Sequence, residues 1–83
     1  MMGAVIKNKT DPDLEKLLLN TLQIERIEYN DTIETVDVWD SMMHMEIMVA
    51  IENKYSLHIE PEEIVALTSV RAIQKFLELK GAL

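Results

Sequence analysis

Val38-Trp39-Asp40-Ser41-Met42, running on through residues 43–51 to Tyr55, is the stretch that decides the fold. Asp40 and Ser41 offer short, oxygen-bearing side chains to the free backbone N–H groups that begin a helix, and eight of the next ten residues (42–51) are apolar. Met42, Met43, Met45, Ile47, Met48, Val49, Ala50 and Ile51 follow one another at steps of about 100°, so they wrap around a helix instead of lining one stripe. A helix apolar on most sides is either wholly buried or uses a second face to meet a partner, and an 83-residue chain has little room to bury one wholly. The stretch predicts a helix over 41–55 that serves both core and partner. Ile47, Met48, Ala50, Ile51 and Tyr55 are expected inward, and Met42, Met45, Glu46, Val49, Glu52 and Asn53 outward.

Upstream, residues 1–10 read as a flexible N-terminal lead-in and 11–83 as one domain. Asp11-Pro12 opens a first helix, with Asp11 as the cap and Pro12 where its missing N–H costs nothing. Leu14, Leu17, Leu18 and Leu22 recur at helical spacing, and the helix is expected to end near Ile24. Residues 25–40 form a long connection, whose Ile27, Ile33, Val36 and Val38 are expected to pin it to the core. The alternation over 32–38 also fits a strand, but no second strand signal exists to pair with it.

Downstream, Glu60-Pro61-Glu62-Glu63 repeats the cap-then-proline signature and opens a short helix to about Leu67. Thr68-Ser69 caps a last helix with Val70, Ile73 and Leu77 inward, helped by Phe76, and Lys80-Gly81 closes it. The fold class is all-α, a four-helix bundle of three longer helices and one short third helix.

Eleven acidic side chains stand against only Arg26 and Lys54 over residues 25–63, a local excess larger than the chain's net charge of −7 because residues 64–83 are slightly basic. Such a surface repels nucleic acid and anionic headgroups and attracts basic protein patches, so neither nucleic-acid binding nor stable membrane association is expected. With no cysteine and two distant histidines, the chain offers no thiolate nucleophile and no metal set. The apolar opening, Met1 to Ile6, is too short for a signal core or a spanning helix, and a cytoplasmic location is expected.

Asp40-Ser41-Met42, followed by Glu46-Ile47, Ala50-Ile51-Glu52, Tyr55, Ile59, Glu63 and Thr68-Ser69-Val70, resembles the acyl carrier proteins, the phosphopantetheine-binding carrier domains. The similarity is clearest over residues 38–77, and the first helix and loop are compatible in order and length. It implies that Ser41 is the attachment point for 4′-phosphopantetheine, transferred from coenzyme A by a phosphopantetheinyl transferase, with Asp40 beside it as a recognition residue. The arm would carry acyl or aminoacyl groups as thioesters, in fatty acid or secondary-metabolite biosynthesis. Partners would be a loading ligase and downstream acyl-processing enzymes with basic patches. The carrier itself would be a monomer and no enzyme. Met42, Met45, Glu46, Val49 and Glu52 would form the partner surface.

This sequence departs from the common pattern at Trp39, where a glycine or other small residue is usual, at Met42, where leucine is commonest, and at Met43 and Asn53, often acidic. It looks more like a stand-alone carrier of a specialised pathway, aminoacyl and D-alanyl carriers included. Trp39 is expected to lie as a lid on the core, with contact to the arm or a partner as the alternative. His44 is expected half-exposed near the arm, and His58 on the surface. A Ser41-His44-Asp40 hydrolase lacks the flanking glycines of a nucleophile elbow. The alternative function is a small acidic helical adaptor that binds a partner through the second helix and carries no prosthetic group.

Overall fold

The computed structural model describes residues 9–83, and among these the chain forms four helices and no strand: α1 (Pro12–Leu22), α2 (Ser41–Tyr55), α3 (Pro61–Ala66) and α4 (Val70–Leu79). Together they make the small helical bundle that the sequence predicts. The expected lead-in lies outside the described residues for positions 1–8. From Lys9 onward the chain is tied down: buried Gln74 of α4 donates through Nε2 to the Lys9 carbonyl (3.1 Å) and accepts through Oε1 from the Asp11 N–H (2.7 Å). The attachment to the bundle thus begins two residues before the expected boundary.

The helix starts follow from local side-chain chemistry. Asp11 accepts from the N–H groups of Asp13 and Leu14, Asp40 from that of Met43, and Ser69 from that of Ala72, each satisfying donors that lack a helical partner. At α3, Glu63 reaches back to accept the Glu60 N–H at 2.8 Å. Three helices end in the left-handed region, at Gln23 (φ 58°), Ser56 (φ 53°) and Gly81 (φ 74°). Each of these closures is sealed by the next residue, whose N–H reaches five positions back: Ile24 to Leu19, Leu57 to Glu52 and Ala82 to Leu77. Gly81 takes this conformation freely, whereas Gln23 and Ser56 take it against a Cβ clash. α1 therefore stops at Leu22, two residues short of the expected end.

Leu14, Leu17, Leu18 and Leu22 of α1, Ile47, Met48 and Ile51 of α2, and Val70, Ile73 and Leu77 of α4 form the core, joined by Ile27, Trp39, Ile59 and Leu67. On α2 the buried positions are 44, 47, 48 and 51, a single stripe at helical spacing, with Ala50 and Tyr55 half-buried beside it.

The connection from α1 to α2 carries its own framework. Asp31 accepts the Glu28 N–H (2.7 Å) and the Thr35 hydroxyl (2.9 Å), and the Thr35 oxygen accepts the Thr32 N–H (2.8 Å). Its backbone then pairs with the α3–α4 junction: Ile33 donates to the Thr68 carbonyl and Val70 to that of Asp31, around an isolated bridge between Thr32 and Ser69. Ile27, Ile33 and Val36 are buried or half-buried as expected, and Tyr29 joins them beneath the Arg71 guanidinium. Val38 does not: it is exposed, and the inward position at this end belongs to Trp39.

Candidate functional site

Asp40 and Ser41 share the start of α2 but do different things there. Asp40 is the N-cap, in extended conformation (φ −102°, ψ −171°), and its Oδ1 accepts the Met43 N–H at 2.9 Å while its carbonyl takes the His44 N–H at 2.8 Å. Ser41 is the first helical residue and is exposed. Because the cap uses the Asp40 carboxylate, the Ser41 hydroxyl is not needed for it and faces water at the positive end of a fifteen-residue helix.

Met42 (74% exposed), Met45 (48%) and Val49 (51%) continue from Ser41 along the outer side of α2, with Glu46 exposed among them. A polarizable, rotatable thioether surface of this kind adapts to differently shaped partners. Glu52, expected on this outer surface, turns elsewhere. Its Oε2 accepts the Ile59 N–H at 2.8 Å and lies 3.4 Å from His58 Nδ1, so it fastens the α2–α3 loop. His58 itself is exposed, as expected, between Glu52 and Glu60.

His44, expected half-exposed, is buried (7% exposed), and its two ring nitrogens have fixed roles. Trp39 Nε1–H, which can only donate, points at His44 Nδ1 at 3.1 Å, and the Ile64 carbonyl, which can only accept, lies 2.7 Å from His44 Nε2. Nδ1 is thereby the acceptor, and Nε2 carries the proton that faces the Ile64 carbonyl. Neither nitrogen is free to take a proton from Ser41. Trp39, 1% exposed, packs into the core with its ring 6.1 Å from that of His44. It is a core residue, with no indole surface left for an arm or a partner.

Nothing in local sequence flags this pair, since one partner of His44 lies five residues before it and the other twenty residues after. The sequence shows only a tryptophan next to the Asp40 cap and five residues before a histidine, a spacing that carries no sign of the bond. Among the described residues no three His, Asp or Glu side chains converge to hold a metal ion, and no helix is long and apolar enough to cross a membrane. A groove of about 360 Å³ between α1 and the far end of α2, lined by Asp13, Lys16, Asn20, Thr21 and Lys54, is remote from Ser41. Lys54 and Ser41 are thirteen residues apart on one helix, roughly 20 Å along its axis.

Tyr55, at the end of α2, has a buried hydroxyl with no hydrogen-bond partner among the described residues. Burial, and then the nearby Asp11 and Asp13 carboxylates, hold its phenol above the usual value of 10.0.

No protein-family model matches the chain, and no curated protein matches it.

Proposed function

We propose that the chain is a carrier protein of the phosphopantetheine-binding type, a monomer that holds acyl or aminoacyl intermediates as thioesters and catalyses nothing itself. The observation that carries this reading is the division of labour at the start of α2, where Asp40 caps the helix and Ser41 keeps an exposed hydroxyl. Ser41 has the access that a modifying transferase requires, and its oxygen is the atom that takes the phosphate of a 4′-phosphopantetheine arm from coenzyme A.

The residues fit that group. A phosphodiester at Ser41 has the first N–H groups of α2 beneath it, on a residue exposed among the described ones. The Asp40 carboxylate repels it by about 1 kcal/mol at ~4 Å in water, a small effect that salt screens and that directs the arm outward. The arm, once attached, supplies the thiol that this cysteine-free chain lacks. Met42, Met45, Glu46 and Val49 surround the attachment point and are the surface on which transferase, loading ligase and acyl-processing enzymes would dock in turn. The acidic excess over residues 25–63 favours fast encounter with basic patches in the cytoplasm.

Incubation with coenzyme A and a broad-specificity phosphopantetheinyl transferase, followed by intact mass measurement, tests this. The expected result is a gain of one phosphopantetheine that Ser41→Ala abolishes. No gain with that enzyme and with the transferase of its own source, in a folded sample, refutes it. The exposed methionine strip would then favour the acidic adaptor that docks through α2 without a prosthetic group.

A further inference from the structure

Ser41 and His44 are three residues apart on α2, neighbours on its surface. The His44 ring is turned inward, and on it three elements meet: the end of the connecting loop through Trp39 (3.1 Å), the first turn of α2, and α3 through the Ile64 carbonyl (2.7 Å). Ile64 is among the last four residues of α3, whose carbonyls have no partner inside the helix, so His44 supplies one that the helix cannot. α3 is six residues long and none of them is fully buried, which makes this bond a principal fastening of α3 onto α2. Ile47 and Met48, three and four residues beyond His44 along α2, are both fully buried.

Resting on the carrier reading, we propose that Trp39 and His44 close the seam between α2 and α3 beneath Ser41, so that the carried group stays outside the bundle. They are specificity-determining residues for short or polar cargo. For a hydrocarbon chain to enter here, the indole must leave a fully buried position, and both ring hydrogen bonds must break. Apolar gain grows with the number of methylenes buried, so a group of two to four carbons cannot compensate for that loss. A long chain left outside remains in water, whereas a short acyl or aminoacyl group loses little there.

The test loads Ser41 through the transferase with acetyl- or octanoyl-coenzyme A, verifies each product by mass, and compares the Trp39 indole N–H resonance by proton–nitrogen NMR. Trp39 is the one tryptophan of the sequence, so the signal needs no assignment. The acetyl and octanoyl forms are expected to share one indole resonance. A displaced resonance in the octanoyl form alone overturns the proposal and leaves the carrier reading standing, whereas no mass gain with either thioester removes both. In His44→Ala, the octanoyl form is expected to shift the indole resonance away from its acetyl position. If it does not, while the variant still folds, the seam is closed by something other than His44. The wild-type comparison decides the main point even if that variant fails to fold.

Discussion

Replacing Asp40 separates its two contributions to the start of α2. Asp40→Ala removes the oxygen that accepts the Met43 N–H at 2.9 Å and deletes a negative charge at the positive end of the helix. An N-cap lost to alanine costs about 1 kcal/mol, and an exposed charge–dipole contact adds roughly 0.3–1 kcal/mol. Asp40→Asn keeps a capping oxygen and loses only the charge. For a domain of this size, with about 4–8 °C per kcal/mol, the alanine variant is expected to melt roughly 5–15 °C lower and the asparagine variant no more than about 8 °C lower. The second readout is the rate at which the transferase modifies Ser41. With Asp40 gone, the Ser41 hydroxyl is the nearest oxygen for the orphaned N–H groups, so the alanine variant is expected to be modified several-fold more slowly. The asparagine variant separates capping from recognition: a rate near wild type places the effect in the cap, a rate as low as alanine's places it in the charge. Equal melting temperatures for wild type and Asp40→Ala would refute the capping geometry and the reasoning built on it.

Gln74→Ala removes both ties to Lys9 and Asp11 and is expected to cost about 1–3 kcal/mol by denaturant unfolding; a loss below roughly 0.5 kcal/mol contradicts the tie. Ser56→Gly and Gln23→Gly relieve left-handed backbone worth about 1–2 kcal/mol to a non-glycine residue, against about 0.5–1 kcal/mol of extra chain freedom, so each is expected to raise stability by roughly 0.5–1 kcal/mol in the same assay. Tyr55 keeps its proton in the fold above pH 10.0, where the unfolded chain has lost it. Its contribution is therefore intact below that pH and declines as the pH rises from there through the folded value, and wild type should lose stability over that range faster than Tyr55→Phe. At pH 7 the same variant is expected to be no less stable than wild type, because the hydroxyl it removes is buried without a partner among the described residues.

What was legible in the sequence was whatever local chemistry decides alone. The starts of α1, α2 and α4 follow from Asp11, Asp40 and Ser69, oxygens that cap the residues immediately after them. The inward leucines of α1 and Val70, Ile73 and Leu77 of α4 follow from helical spacing. The end of α1 was not legible, because glutamine at Gln23 gives no sign of the left-handed conformation it adopts. Non-local partners hid the rest. Glu52 looks like an outer-face carboxylate until the chain returns at Ile59, Gln74 looks like a solvated polar residue until Lys9 and Asp11 pass over it, and His44 looks half-exposed until Trp39 and Ile64 take both its nitrogens. Trp39 covers the core as expected, but Val38 beside it is exposed, because alternation along a loop does not say which of two adjacent apolar side chains turns inward.

The way the connecting loop is held has a consequence for how this surface can diverge among descendants of the sequence. Its hold on the α3–α4 junction runs through main-chain atoms of Asp31, Ile33, Thr68 and Val70, and its turn depends on the side chains of Asp31, Thr32 and Thr35. Glu34, Asp37 and Val38 project from that frame into water. Mutation can change the charge at these three positions while the loop keeps its path and Ser41 its setting. If the chain is the carrier proposed, its preference for one docking enzyme over another can thus drift by single substitutions, with almost no penalty to folding on the way.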